Sequence, residues 1–162
     1  MDQLNVSQKM TGVRERYNDL RRARSELKLE GLTAEQIPIQ LAVVELAKEL
    51  KSAKELSSAW NTLASLYNQT QQYELAEHAA KQSISTWKND WNHAHESLAT
   101  FEWLLASILA AQHRFAEAVE VSDYCIKHFS VFHDSDSNFL KARIAEFERM
   151  RNFRIFNQPD KV

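Results

Sequence analysis

The stretch Ala59-Trp60-Asn61-Thr62-Leu63-Ala64-Ser65-Leu66-Tyr67, followed by Gln72-Tyr73-Glu74-Leu75-Ala76, returns forty-two residues later as Phe101-Glu102-Trp103-Leu104-Leu105-Ala106-Ser107-Ile108-Leu109 and Arg114-Phe115-Ala116-Glu117-Ala118. In that register Leu63 falls on Leu105, Ala64 on Ala106, Ser65 on Ser107, Tyr67 on Leu109, Tyr73 on Phe115, Ala76 on Ala118 and Ser83 on Cys125. A fixed period of this size points to stacked helical hairpins. The small residues Ala64, Ala76, Ala106 and Ala118 let two helix backbones approach closely, and Leu63, Tyr67, Leu105 and Phe115 fill the space beside them. Each hairpin leaves an apolar face that a neighbour must cover, so a terminal helix with one polar face has to end the stack. The competing account is a helical bundle whose two hairpins are alike by chance.

The spacing Trp60, Leu63, Ala64, Tyr67, Tyr73, Ala76 resembles the tetratricopeptide repeat (TPR), and the 42-residue unit is similar to the extended repeat of kinesin light chains and related bacterial proteins. The resemblance covers about half of the chain. It implies an all-α fold, a right-handed stack of antiparallel helical hairpins with about seven helices, and it implies a binding surface rather than a catalyst.

Composition supports the helical reading. Only two glycines and two prolines occur among 162 residues, far below the usual ~7% and ~5%. Without clustered glycines the chain has no loop in which backbone amides could cradle phosphates, which speaks against a nucleotide enzyme. A chain of this length suits one domain able to bury about 70% of its unfolded surface, so folding is expected to need no metal and no disulfide. The lone cysteine, Cys125, takes the place of the small packing residue Ser83 and reads as a buried structural thiol. No apolar run approaches the ~20 residues of a membrane span, and Met1-Asp2-Gln3-Leu4-Asn5-Val6 is not a secretion signal. A soluble, cytoplasmic protein with no membrane contact is expected.

The periodicity predicts a first helix from Ser7 to Lys28, ended by Gly31, with Met10, Val13, Tyr17, Leu20 and Leu27 forming a seam in which Arg24 fills the missing apolar place. Thr33 with Gln36 resembles a capping box, and Pro38 sets the start of the second helix. Ser57 and Ser58 are placed to cap the helix of the first repeat, expected over 58–70, followed by helices over 73–87, 90–112 and 115–129. The run 131–137 reads as a loop, and a closing helix over 137–151 carries Leu140, Ile144 and Phe147, with Phe153 beyond it and a frayed tail from Phe156. The expected organisation is an irregular hairpin over 1–56, two repeats over 57–130, and a closing helix and tail over 131–162, all in one structural domain.

What the resemblance implies for binding is a concave groove lined by the first helix of each hairpin. Matching residues place Asn61, Ser65 and Asn68 there from the first repeat, and Trp103 and Ser107 from the second. An asparagine amide both donates and accepts, which suits an extended peptide backbone, and an exposed tryptophan suits an interface anchor. The alternative is that the asparagines are solvated and that Trp103 packs on a neighbouring helix. The carboxylate clamp with which some relatives hold chaperone tails needs basic residues on successive repeats; Leu104 and Thr100 stand there instead, so that ligand is not expected.

Charge is segregated although the net charge is only −2. The first helix carries Arg14, Arg16, Arg21, Arg22, Arg24 and Lys28 against Glu15, Asp19 and Glu26. Arg14, Arg21, Arg22 and Arg24 could meet nucleic-acid phosphates or an acidic partner, could form a solvated face with intrahelical ion pairs, or could pair the helix with its own copy in a homodimer, Arg24 setting the register. Nucleic acid is not the leading expectation for a segment of net charge +3.

No cofactor or metal site is expected. Neither His93-Ala-His95-Glu96 nor His133-Asp-Ser-Asp136 has convincing ligand spacing: residues two apart on a helix, such as His93 and His95, point in different directions, whereas a zinc pair on one face needs three or four. No hydrolase motif occurs, and the acids Glu117 and Glu120 lie on a face expected to be solvated. Of the four tryptophans, Trp60, Trp87, Trp91 and Trp103, the expected role is filling the wedges between hairpins. The reading is therefore a non-enzymatic adaptor or scaffold that holds a peptide or helix in a TPR-like groove. A chaperone or assembly factor for a secreted or assembled client, and a nucleic-acid-binding regulator using the arginine-rich helix, are the alternatives.

Overall fold

Helices account for the regular structure of residues 2–90 and 96–156, which the computed structural model describes, with side chains for residues 8–89 and 96–152. Trp91, His93, His95, the side chain of Phe153 and the tail beyond Phe156 lie outside the described residues. In chain order the seven described helices are α1 (Asp2–Leu29), α2 (Gln36–Glu49), α3 (Ala53–Gln69), α4 (Tyr73–Asp90), α5 (Glu96–Ala111), α6 (Phe115–Phe132) and α7 (Asn138–Phe156). None of them is long and apolar enough to cross a membrane. The chain forms two compact units, residues 1–90 with α1 to α4 and residues 91–162 with α5 to α7. Within the first unit α1 packs on α2, α2 on α3 and α3 on α4; within the second α5 packs on α6 and α6 on α7.

The quoted repeat is the α3–α4 hairpin, and its second copy is α5–α6. Ala64 and Ala106, Ala76 and Ala118, and Ser83 and Cys125 are all fully buried, as small residues at a close helix crossing must be. The equivalence extends to hydrogen bonding. Ser83 Oγ donates to the Ser57 carbonyl at 2.8 Å across α3–α4, and Cys125 Sγ donates to the Ala99 carbonyl at 3.2 Å across α5–α6. Both pairs span twenty-six residues, so one helix-to-helix rung is built twice, with oxygen in one copy and sulfur in the other. Burial pushes the Cys125 thiol far above its usual range, with the nearby Glu102 carboxylate adding to the effect, and the thiol stays protonated.

The turns repeat as well. Gln71 and His113 stand forty-two residues apart, and each has a left-handed backbone with φ of +60°. After α3 the Gln71 amide donates to the Asn68 carbonyl at 3.1 Å and the Gln72 amide to the Tyr67 carbonyl at 2.8 Å; after α5 the His113 amide donates to Ala110 and the Arg114 amide to Leu109, both at 2.9 Å. The end of α1 follows the same pattern with Gly31 at φ +75°, where the glycine expected to stop the helix does so.

Several boundaries differ from expectation. Helix α3 begins at Ala53, five residues before the expected Ser58, because Ser52 caps it: Glu55 N donates to Ser52 Oγ at 3.4 Å, and the Ser52 hydroxyl bonds back to the Glu55 carboxylate. Ser57 and Ser58 therefore lie inside the helix. The Thr33–Gln36 capping box does not form; Gln36 Nε2 instead donates to the Leu32 carbonyl at 3.1 Å, and α2 starts at Gln36 with Pro38 in its first turn, where no amide donor is needed. Helix α6 continues to Phe132, shortening the expected loop, and α7 runs on to Phe156. The core of the second unit gathers Phe129 from α6 with Leu140 and Phe147 from α7, as the closing-helix stripe implied.

Candidate functional site

The seam of α1 turns inward as expected at Val13 and Tyr17, which are buried. Arg24 occupies the next inward place, and a cation in that position needs an acceptor. It finds an amide: Arg24 Nη1 donates to Gln40 Oε1 at 2.9 Å, and the fully buried Gln40 donates through Nε2 to the Ala59 carbonyl of α3 at 2.7 Å. Among the described residues no carboxylate forms an ion pair with Arg24, and its Nε is buried without an acceptor. Burial first, then the charge of Arg21, holds its guanidinium below the usual arginine range. An anion arriving here would relieve both penalties.

Arg24 opens onto a cavity of about 480 Å³. Lys28, one turn further along α1, lines it beside Arg24; Thr33 and Gln36 line it from the α1–α2 turn and the start of α2, and Asn61, Thr62, Ser65, Leu66 and Gln69 line it from α3. Asn61 Oδ1 is buried with no donor. Ser65 Oγ accepts from Gln69 Nε2 at 3.0 Å, leaving its own proton free to turn toward a guest. The cavity thus has two cationic side chains on the α1 side, and on the α3 side an asparagine whose amide oxygen is buried and unpaired and a serine hydroxyl.

Two of the sequence-predicted groove residues, Asn61 and Ser65, meet in this cavity with Arg24, which had been assigned to a separate basic face. Asn68 does not line it, although its Oδ1 is likewise buried and unpaired. The other three arginines assigned to that basic face, Arg14, Arg21 and Arg22, have partners. Arg14 Nη1 pairs with Glu55 of α3 at 2.6 Å, Arg22 lies 3.7 Å from Asp19, and the guanidinium carbons of Arg14 and Arg21 sit 5.8 and 5.5 Å from the centre of the Tyr17 ring. Lys28, Gln36 and Gln69 were not predicted from the sequence as site residues. For Lys28 the signal was the polar residue that interrupts the α1 seam, since a residue four along the same helix lies on the same face as the inward cation; Gln36 and Gln69, on other helices, left no such signal.

In the second unit, Trp103 is half-buried against its core, and the Arg143 guanidinium of α7 lies over its ring at 4.2 Å. Trp103 Nε1 is buried without an acceptor, and Ser107 Oγ donates along its own helix to the Trp103 carbonyl at 3.0 Å. One turn of the α5–α6 hairpin holds the buried Glu102, whose Oε2 lies 2.5 Å from His128 Nδ1. No group of three His, Cys, Asp or Glu side chains suited to a metal ion occurs among the described residues.

Comparison with solved structures bears on the fold. A candidate kinesin light chain from Podosopora anserina with nearly identical TPR-like repeats matches 90% of the chain with a TM-score of 0.72 at 20% identity, over 68% of its own length. The fold is a TPR-like helical repeat. BtubC (BKLC) from P. vanneervenii matches 92% of the chain with a TM-score of 0.74 at 13% identity, over 66% of its own length. The chain thus spans about two thirds of these TPR-like proteins. No family model and no curated protein sequence matches it.

Proposed function

We propose that this TPR-like chain is a non-enzymatic protein-interaction module, an adaptor or scaffold, that holds an extended segment of a partner in the cavity between α1 and α3. One observation carries the reading: Arg24 and Asn61 line the same cavity, and each bears a buried polar atom without a partner, the donor Nε of Arg24 and the acceptor Oδ1 of Asn61. A buried donor and acceptor left unmade each cost about 1–3 kcal/mol, and a peptide supplies both complements, a carboxylate or carbonyl for Arg24 and Lys28 and an amide N–H for Asn61. A backbone alone would satisfy Asn61; the two cations add a preference for a segment with an acidic group. The pairing of Arg14 with Glu55 and of Arg22 with Asp19 withdraws charge from the face that would otherwise track phosphates, which favours a protein partner over nucleic acid.

Panning a random peptide library against the immobilised chain, with Arg24→Gln and Asn61→Leu variants as counter-targets, tests the reading. Enrichment of acidic peptides that bind the Arg24→Gln variant at least ~10-fold more weakly, the value of a lost charge-assisted bond of ~1.5 kcal/mol, supports it. Peptides retained at full strength by both variants, or none enriched, refute it.

A further inference from the structure

We propose that the anionic group which the cavity between α1 and α3 takes from its partner is a phosphate monoester on a serine or threonine, so that phosphorylation of the partner switches binding on. This rests on the reading of that cavity as a site for an acidic segment and names the acid. Of the nine residues lining it, two are cationic, Arg24 and Lys28, and none is acidic. Neither cation forms an ion pair among the described residues. Gln40 leaves Arg24 in that state. Its Nε2 is committed to the Ala59 carbonyl at 2.7 Å, so the amide presents only its oxygen to Arg24 and holds the guanidinium without neutralising it.

The open donors define the guest. Arg24 Nη1 is taken by Gln40 and Nε is enclosed, so Nη2 is left for a ligand, and neither Lys28 Nζ nor the Thr33 hydroxyl makes a hydrogen bond among the described residues. An aspartate or glutamate brings one charge and two oxygens, which leaves one of the two cations unanswered. A phosphate monoester brings about 1.5–2 charges and three acceptor oxygens, the complement of two cations and a hydroxyl. Lys28 follows Arg24 by one turn of α1, with about 5–6 Å between Cβ atoms of such a pair. One tetrahedral group on one side chain spans that distance, whereas two carboxylates would have to enter on two side chains. A nucleic-acid strand carries a single charge per phosphate, and Arg14 and Arg22, which would take its further phosphates, are paired with Glu55 and Asp19.

The test uses the whole chain and four fluorescent peptide mixtures, random except at a fixed centre of serine, aspartate, aspartate-glutamate or phosphoserine, with binding read by anisotropy. The phosphoserine mixture is expected to bind at least ~10-fold more tightly than the aspartate one, the gain of a further charge-assisted hydrogen bond. Arg24→Gln and Lys28→Gln should each cut that margin to below ~3-fold. Lys28 is exposed, so its variant removes the charge without disturbing the fold, and circular dichroism checks Arg24→Gln. Lowering the pH from about 7.5 to about 5 should shrink the margin as well, because the phosphate loses its second charge near pH ~6 while aspartate keeps its own; the lining holds no histidine or carboxylate. Equal binding of phosphoserine and either acidic mixture overturns the proposal and leaves the acidic-segment reading standing, whereas no binding by any of the three charged mixtures overturns both. A margin that survives both variants places the phosphate elsewhere and overturns it too, as does a single-stranded oligonucleotide that binds more tightly than the phosphoserine mixture at physiological salt.

Discussion

Ser83 and Cys125 perform one task with two elements of the periodic table. Each lies at the same place in its hairpin, fully buried, and donates to a carbonyl of the facing helix. A hydroxyl in the Cys125 position therefore already has its precedent in the chain. Cys125→Ser is expected to unfold in urea within ~1 kcal/mol of the unaltered protein, whereas Ser83→Ala, which deletes the donor, costs about 1 kcal/mol or more. Tyr17 gives a pH-dependent case. Burial raises its phenol pKa most, Glu55 adds to this, and Arg21, Arg14 and Arg24 oppose it without cancelling it. The folded state thus favours the neutral phenol, and that contribution is fully present below the ordinary value of ~10 and is lost as pH rises through the folded-state value. Stability measured between about pH 9 and 11 should fall more steeply for the unaltered chain than for Tyr17→Phe. At this scale the sequence was legible where a residue type has few uses, as with the small residues of the repeat. It was less so for Arg24, since a gap in an apolar seam fits a dimer register as well as an inward contact with Gln40, and only the position of α2 decides between them.

The helix ends show which local signals govern element boundaries. The sequence pointed to the serine pair at 57–58 for the start of α3, and the structure places the cap at Ser52, three residues before Glu55. The Ser52 cap prevailed because it satisfies the orphan amide of Glu55, while Ser57, 0% exposed, is consumed by the close packing of α4 that puts Ser83 against its carbonyl. Ser52→Ala should lower stability by about 1 kcal/mol. The end of α3 carries the opposite liability. Gln71 and His113 hold left-handed backbones at φ +60° that the Gly31 turn adopts without a side chain. Replacing either by glycine removes a penalty of about 1–2 kcal/mol in the folded chain and adds back some unfolded-state entropy. The expected net gain is up to ~1 kcal/mol each, read as a higher melting temperature. These turns were not visible in the sequence because left-handed glutamine and histidine leave no compositional mark; the glycine at 31 did.

At the scale of the whole molecule, the helical-repeat fold was legible because its information is redundant: a 42-residue period states the packing positions of the repeat twice. The candidate site was legible only in part. Asn61 and Ser65 came from one line of reading and Arg24 from another, and nothing in a linear chain says that residues thirty-seven apart share a cavity. The first unit holds its own buried set, Val13, Tyr17, Val43, Val44, Leu63 and Ala80 among them, and contains that cavity entirely. A chain of residues 1–90 alone is therefore expected to melt cooperatively by circular dichroism and to keep the peptide binding of the full chain; a non-cooperative melt would show that the first unit does not fold on its own. The lone thiol adds one more consequence. Because Cys125 is sealed inside the second unit and the first has no sulfhydryl, a colourless-to-coloured thiol reagent added in excess can only record moments when the packing of α5, α6 and α7 opens. The protein carries its own stopwatch, and the rate of colour development counts openings in one half of the chain without any label being introduced.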